Sequence, residues 1–352
     1  MKVLFVNDFL VYAGAEKLVQ RVMSHAQKNG HEIKLATQYL NRDHTPSGTD
    51  ITKTIQDYQP DVVHFHNIAS IGFEPLEYCV REKVPTVWTV HDWYPTCKIR
   101  TRMNRQGQVC ANQDWSRCAE CASSEHLTKL LRNLPKLRDL ANHIEMTTLC
   151  NAQRLLMHDF GYDINHITVV KNGVDTSTYS PNEEKGYVFC FGVIRWEKAV
   201  DWHIQSANVS PYPHALAGVQ IGFKLNLAKA KTKMLGFLPE NTLIQCIGNA
   251  SVVQVPARWP EPCGLTILES FACGKPVVSV AQGGIPEYLE DGKAGFLAEP
   301  GDVVGFIDLT NYLMDNDGLR GEMGKNALEA SRYYSLERVW SDYEKVYKKA
   351  MN

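Results

Sequence analysis

The sequence predicts an α/β fold of two domains, each a parallel sheet covered by helices. Three observations carry that expectation. Short apolar runs rich in β-branched residues alternate with amphipathic segments of helical length, first from residue 2 and again from residue 187. Between the two series lies a polar stretch, from Asn172-Gly173 through Glu184, that reads as a linker. The length of 352 residues suits two domains at about 100–200 residues each.

Taken in order, residues 2–8 (KVLFVND) read as a buried first strand. A turn around Tyr12–Gly14 leads into a helix from about Ala15 to Lys28, with Leu18, Val19, Val22, Met23 and Ala26 on one face and Gly30 as its stop. Strands are expected at 32–36, 61–67 and 85–92, the last two separated by a helical stretch near 70–82. Residues 97–125 break the rhythm: they are polar, Arg-rich and Cys-rich, and read as an inserted loop. A helical segment over 126–142, interrupted near Pro135, is followed by a strand near 145–149, a helix near 151–160 and a strand near 167–170. The second series places strands at 187–193, 214–219, 233–237, 251–255 and 276–281, while 200–232 shows no clear period. A last helix, about 335–350, carries Val339, Tyr343, Val346 and Tyr347 on one face. The expected domains are therefore 1–171, 172–334, and a helix 335–352 that packs back on the first.

Composition excludes several function classes. Hydrophobic residues make up 44% and charged residues 22%, as in a globular protein with a full core. The net charge of −2 provides no global basic field for nucleic acid or anionic membrane. No apolar run reaches the roughly 18 residues of a membrane span. The first apolar run is too short for a signal segment and soon meets Gly14, Glu16 and Lys17, so a cytoplasmic location is expected. In 129–140, Lys129, Arg132, Lys136 and Arg138 interleave with leucines; a peripheral membrane contact and a segment packed on its own domain are the two readings, the second preferred.

The chemistry centres on 258–276, RWPEPCGLTILESFACGKP. Pro262 and Gly264 precede an apolar run, Leu265 to Ala272, closed by Gly274 and Pro276: a helix with a start and a stop signal. The N–H groups of Gly264, Leu265 and Thr266 at its first turn suit an anion, favoured further by the helix dipole. Glu261 just ahead and Glu269 within the helix can each accept hydrogen bonds from neighbouring sugar hydroxyls. A nucleotide sugar has that pattern of ribose, diphosphate and hexose; a solvated helix with two ordinary glutamates is the plainer alternative. Arg195 and Lys198 follow a predicted strand and can neutralise a diphosphate, or else form a solvated charged turn. Gly283-Gly284 follows another strand and permits a tight turn on the same side.

The string Glu261-Pro-Cys-Gly264-Leu-Thr-Ile-Leu-Glu269-Ser-Phe-Ala-Cys-Gly274-Lys-Pro276, with Gly283-Gly284-Ile-Pro-Glu287, resembles the E-x7-E nucleotide-sugar site of retaining glycosyltransferase family 4. Ala13-Gly14-Ala15-Glu16 resembles that family's Gly-Gly-Ala-Glu loop, Thr89-Val90-His91-Asp92 the strand end with its active-site histidine, and Asn172-Gly173-Val174-Asp175 its domain junction. The resemblance implies a GT-B fold, two Rossmann-like domains with parallel sheets facing a central cleft, and a hexosyl- or related transferase. It implies that Glu269 binds ribose, Glu261 the donor sugar, and Arg195 and Lys198 the diphosphate, with Gly14 close to donor and acceptor. It places His91 beside the donor sugar and the base near Gly236-Phe237. The donor implied is a UDP- or GDP-sugar, the acceptor a hydroxyl, and no metal is needed for catalysis. Val193 stands where the family usually has Arg, and Ala199 where it has Gly. Rival functions are transfer onto a modified nucleic-acid base, disfavoured by the charge, and a non-catalytic sugar-nucleotide-binding protein; an epimerase of the same fold ranks below both.

Ten cysteines remain to be placed. Cys79, Cys150, Cys190, Cys246, Cys263 and Cys273 are scattered, mostly in apolar runs, and read as small buried hydrophobes. Cys97, Cys110, Cys118 and Cys121 follow C-x12-C-x7-C-x2-C within the insert. Four thiolates with a terminal C-x2-C suit a structural zinc; free thiols and disulfides are the alternatives. Arg100, Arg102, Arg105 and Arg117 give the insert positive charge, to meet a phosphate-bearing acceptor or only solvent. His64 and His66, two apart on one strand, point to one face; a metal role for them is disfavoured.

Overall fold

A helix follows each of the first five strands, and a strand–helix–strand unit returns the chain in the same direction, so the pairing that results is parallel throughout. These elements are seen in a computed structural model that describes residues 1–10, 14–41, 43–97, 99–104, 106–116, 118–121, 125–222, 225 and 230–352. The chain divides into two units, Met1–Asn172 with Leu336–Asn352, and Gly173–Ser335.

The first unit runs β1 (Lys2–Phe9), α1 (Gly14–Lys28), β2 (Glu32–Tyr39), α2 (Ile51–Tyr58), β3 (Val62–Phe65), α3 (Glu74–Arg81), β4 (Thr86–Val90), α4 (Glu125–Ala141), β5 (Glu145–Thr148), α5 (Asn151–Asp159) and β6 (Ile167–Val169). Among the described residues its sheet has the order β2-β1-β3-β4-β5-β6. β3, β4 and β5 are buried along their whole length and β1 from Val3 onward, because helices cover both faces. The second unit runs β7 (Val188–Phe191), α6 (Val200–Val209), β8 (His214–Ala217), β9 (Lys233–Gly236), α7 (Glu240–Asn249), β10 (Val252–Gln254), α8 (Leu265–Ala272), β11 (Val277–Val280), α9 (Ile285–Tyr288), β12 (Gly295–Ala298), α10 (Val303–Asp315) and α11 (Asp317–Tyr333). Its sheet is also parallel, in the order β12-β11-β10-β7-β8-β9. The last helix, α12 (Leu336–Met351), belongs to the first unit, where it buries Val339, Trp340, Tyr343, Val346 and Tyr347 and contacts α1, β3, β4 and β5.

Two departures from the sequence expectations have physical causes. α4 continues through Pro135 where an interruption was expected. Leu134 and Leu137, on either side of it, are both fully buried in the first core, and this packing offsets the lost backbone hydrogen bond. The same leucines anchor the segment in its own domain, while Lys136 pairs with Glu77, so the described part of 129–140 is a packed amphipathic helix. α2 was not expected: it is short, with two buried residues, but Asp50 caps it by accepting the N–H of Lys53 at 2.8 Å. Expectations on Tyr12, Ala13, Arg105 and Arg117, and on the side chains of 129–132, fall outside the described residues. No described helix is long and apolar enough to cross a membrane.

Candidate functional site

Numbered along the second unit, its strands lie in the order 6-5-4-1-2-3, so the winding direction reverses between β7 and β10. In open α/β sheets ligands bind outside the carboxyl ends of the strands at such a reversal. β7 ends at Phe191 and leads through Gly192 into Arg195 and a 3-10 turn, Trp196–Lys198. β10 ends at Gln254 and leads into the loop before α8. The two are in contact: the N–H of Arg258 donates to the Glu197 carbonyl at 2.9 Å. Gly264 is the N-cap of α8, and no side chain caps the helix, so its first turn keeps the positive end of the dipole for a ligand or water.

Glu261 is held from three directions. Its Oε2 accepts from Trp259 Nε1 at 2.9 Å and pairs with Lys198 Nζ, while its carbonyl accepts the N–H of Gly284 at 2.7 Å. Its side chain is 10% exposed, and Lys198 also lies 4.7 Å over the Trp259 ring. Glu269, half-buried on α8, accepts from the Tyr179 hydroxyl at 2.9 Å. Arg195 reaches Glu197 at 3.5 Å and is half-exposed. Gly236 ends β9 with φ +66, and Phe237 beside it is 71% exposed, an aromatic face open for stacking. The structure thus gathers Gly264, Leu265, Thr266, Glu261 and Lys198 at one reversal point, with Glu269 on the same helix. Sequence reasoning did not single out Trp259 and Tyr179, the partners that orient the two glutamates.

In the first unit the strand order reverses at β1 and β3, and here too polar side chains collect at the strand ends. Asp8 near the end of β1 is fully buried; its Oδ1 accepts the N–H of Ser70 at 3.0 Å, and its Oδ2 has no partner. Burial, opposed by backbone hydrogen bonds and the Arg100 charge, pushes its carboxyl up to about 6. His66, just past β3, shares a hydrogen bond of 2.9 Å between its Nδ1 and His91 Nε2. Burial lowers His66 well below the usual histidine range and His91 to about 4, so both rings are neutral at physiological pH. His64, the neighbour that the sequence paired with His66, is instead bonded to the Tyr347 hydroxyl and to Thr89 Oγ1, each at 2.7 Å. A small pocket lined by His66, Asn67, His91, Asp92, Tyr94 and Arg100 opens at this edge. Gly14 is the exposed first residue of α1, and Glu16 behind it accepts from Asn67 at 3.0 Å. Asp8 carried a sequence signal that went unread, a carboxylate at the end of the first strand.

The basic insert is largely engaged with its own chain. Arg100 donates to Asp92 at 2.6 Å. Arg102 is buried and donates to the carbonyls of Cys110 and Asn112, both at 2.7 Å. The N–H of Arg102 points at Cys97 Sγ, 3.3 Å away. Cys97, Cys110, Cys118 and Cys121 are all free thiols, and among the described residues no three His, Cys, Asp or Glu side chains converge closely enough to hold a metal ion.

Residues 36–178 match the family profile described as Glycosyltransferase Family 4, and residues 177–330 the one described as Glycosyl transferases group 1. The N-acetyl-alpha-D-glucosaminyl L-malate synthase of Bacillus anthracis is 38% identical over 88 residues, which are 25% of this chain and 23% of that protein. The sulfoquinovosyl transferase SQD2 of Arabidopsis thaliana is 29% identical over 307 residues, 81% of this chain and 56% of that one. This chain therefore spans about half or less of the length of these two relatives. Anabaena HepE, solved in complex with UDP-glucose, superposes with a TM-score of 0.74 over 99% of this chain and 100% of its own, at 18% identity, and so shares the fold.

Proposed function

The chain belongs to the glycosyltransferases, with a Family 4 half, a group 1 half and the GT-B fold of two Rossmann-like domains, and from that premise we propose that it moves a sugar from a nucleoside diphosphate-sugar to a hydroxyl acceptor with retention of anomeric configuration. The observation that carries the reading is the uncapped start of α8 at the second unit's reversal point, next to the Glu261–Lys198 pair and with Glu269 one turn further on. In this reading the first-turn N–H groups, Lys198 and Arg195 hold the diphosphate. Glu269 takes the ribose hydroxyls, Glu261 the sugar hydroxyls, and Phe237 with Gly236 the base. Gly14 and His91 serve from the first unit. A uridine base is the first choice, since HepE was solved with UDP-glucose.

The reaction breaks the bond between the anomeric carbon and the phosphate oxygen and forms one from that carbon to the acceptor oxygen on the same face. The acceptor proton passes to the leaving phosphate, whose growing charge the fixed N–H groups and cations stabilise. No metal ion is required in this scheme. Thermal melting with UDP-glucose, GDP-mannose and other nucleotide sugars tests it. A ligand at a hundred times its Kd adds about 2.7 kcal/mol to the folded state it binds, a rise of several degrees for the second unit's transition. A panel in which neither UDP nor any nucleotide sugar moves the melting point rejects the assignment.

For the insert we propose a structural zinc on the C-x12-C-x7-C-x2-C spacing; because no three of the described side chains converge closely enough to hold an ion, the four thiols would have to draw together around it on binding. Burial and then the neighbouring Cys97 and Cys110 push the Cys118 thiol up to about 11, so a bound ion would itself have to draw the thiolate out. Elemental analysis of protein purified without chelator is expected to find about one zinc per chain, abolished in Cys118→Ser. Zinc-free protein with unchanged melting would end this proposal.

A further inference from the structure

Resting on the reading of Lys198 as a contact of the leaving diphosphate, we propose that Arg258 is the positioning residue of Lys198, stapling the turn Trp196–Lys198 and the start of α6 to the loop before α8. Arg258 grips that turn on both sides of Lys198. Ahead of it, Arg258 Nη1 donates to the Trp196 carbonyl at 3.0 Å, and the Arg258 backbone N–H donates to the Glu197 carbonyl at 2.9 Å. Behind it, the same Nη1 donates to Asp201 Oδ1 at 2.6 Å, while Nη2 pairs with Asp201 Oδ2. Both hydrogens of Nη1 are used, and the planar fork spans two carboxylate oxygens and a carbonyl at once, which the point charge of a lysine could not. The guanidinium also lies over the rings of Trp196 and Trp202, 5.3 and 5.8 Å from their centroids. The Arg258–Asp201 pair is half-buried, so solvent screens it only in part.

The turn needs such a hold. Ala199, which joins Lys198 to α6, is fully buried with φ +49, a left-handed conformation that any side chain disfavours and that persists where its surroundings over-determine it. Within the turn, Lys198 N–H donates to the Arg195 carbonyl and Ala199 N–H to the Trp196 carbonyl, both at 3.1 Å. Arg258 brackets the strained residue, with Trp196 and Glu197 before it and Asp201 after it. The staple is anchored at its other end too, because the Arg258 carbonyl accepts from Gln282 Nε2 beyond the end of β11. Trp259 and Glu261, next along the Arg258 loop, are the groups that meet the Lys198 ammonium, one through its ring at 4.7 Å and the other through its carboxylate. A shift of the turn would carry Lys198 away from both. Misplacing a group at the reacting atoms by about 1 Å can cost about 10²-fold in rate.

The test compares Arg258→Met with wild type in two ways: amide hydrogen exchange of the full chain read by mass spectrometry, and turnover of UDP-glucose with water as acceptor. In Arg258→Met the peptide over 196–202 should exchange about tenfold faster or more, with the other peptides of the second unit within about twofold of wild type. Its kcat should fall about 10–100-fold, with KM changed by less than about threefold. In the Lys198→Ala background the same substitution should change kcat by less than about threefold, because a residue that acts through Lys198 then has nothing left to position. A residue needed only for the fold would instead multiply its loss onto that background. Asp201→Asn breaks the fork but leaves Arg258 its Trp196 contact, so it should repeat both effects at smaller amplitude, and it is the variant to use if Arg258→Met does not fold. Unchanged exchange over 196–202 in both variants, exchange raised equally across the second unit, or the full loss of kcat retained in the Lys198→Ala background overturns the proposal. Wild-type protein inert toward UDP-glucose counts against the donor reading alone, because the exchange measurement needs no turnover and decides the staple by itself.

Discussion

Lys198→Ala is expected to lower kcat for UDP-glucose by about 10²–10³, the usual loss when one preorganised group facing the developing charge is removed. Two effects combine in that number, and they separate experimentally. Lys198 stands at the start of the proposed diphosphate site, and it also neutralises Glu261, whose side chain is only 10% exposed. Removing the ammonium leaves that carboxylate bonded to Trp259 Nε1 but without a counter-ion, which costs stability as well as rate. In the Lys198→Ala/Glu261→Gln double variant no unpaired charge remains, so the melting point should recover. Turnover should not recover, because the group that meets the leaving phosphate is still missing and Glu261→Gln also alters the proposed sugar contact. Single-variant turnover within about threefold of wild type would mean that Lys198 is only a partner for Glu261. Full rescue of kcat in the double variant would mean the same.

The features that were readable in the sequence are those set by near neighbours. α8 was legible because Gly264 ahead of it and Gly274-Pro276 behind it are local start and stop signals around one apolar run. The parallel sheets were legible because buried strands read as continuous apolar runs such as VLFV and VVSV. What was not readable depends on residues far apart in sequence. Lys198 and Glu261 are separated by 63 positions, His66 and His91 by 25, and His64 and Tyr347 by 283. Periodicity correctly put His64 and His66 on one face but carried no information on which ring would meet which partner. Pro135 misled for the reverse reason: its local effect is to break a helix, and the buried Leu134 and Leu137 beside it hold the helix together. α2 escaped notice because an eight-residue helix with two buried positions has too little periodicity to register.

Gly283→Ala should damage the second unit and its site together, although the change adds one methyl group and touches no expected ligand. Gly283 has φ +63, a region where a Cβ costs about 1–2 kcal/mol by itself. The added carbon would also lie 2.5 Å from the carbonyl carbon of Pro260 and 2.7 Å from both N and O of Glu261. These are backbone atoms, which cannot rotate away as a flexible side chain would. The loop carrying Glu261 must therefore shift, and with it the carbonyl that accepts the N–H of Gly284. Clash and backbone strain together should cost about 2–4 kcal/mol, read as a lower melting temperature. A shifted Glu261 leaves Trp259 and Lys198 out of register, so KM for UDP-glucose should rise and kcat fall in the molecules that remain folded. Gly292→Ala is the matched control: its φ is +78, but nothing lies within 4 Å of the added carbon. It should show the backbone cost alone, with kinetics unchanged. If Gly283→Ala matches this control in both melting and kinetics, the Gly283–Glu261 contact does not position the site.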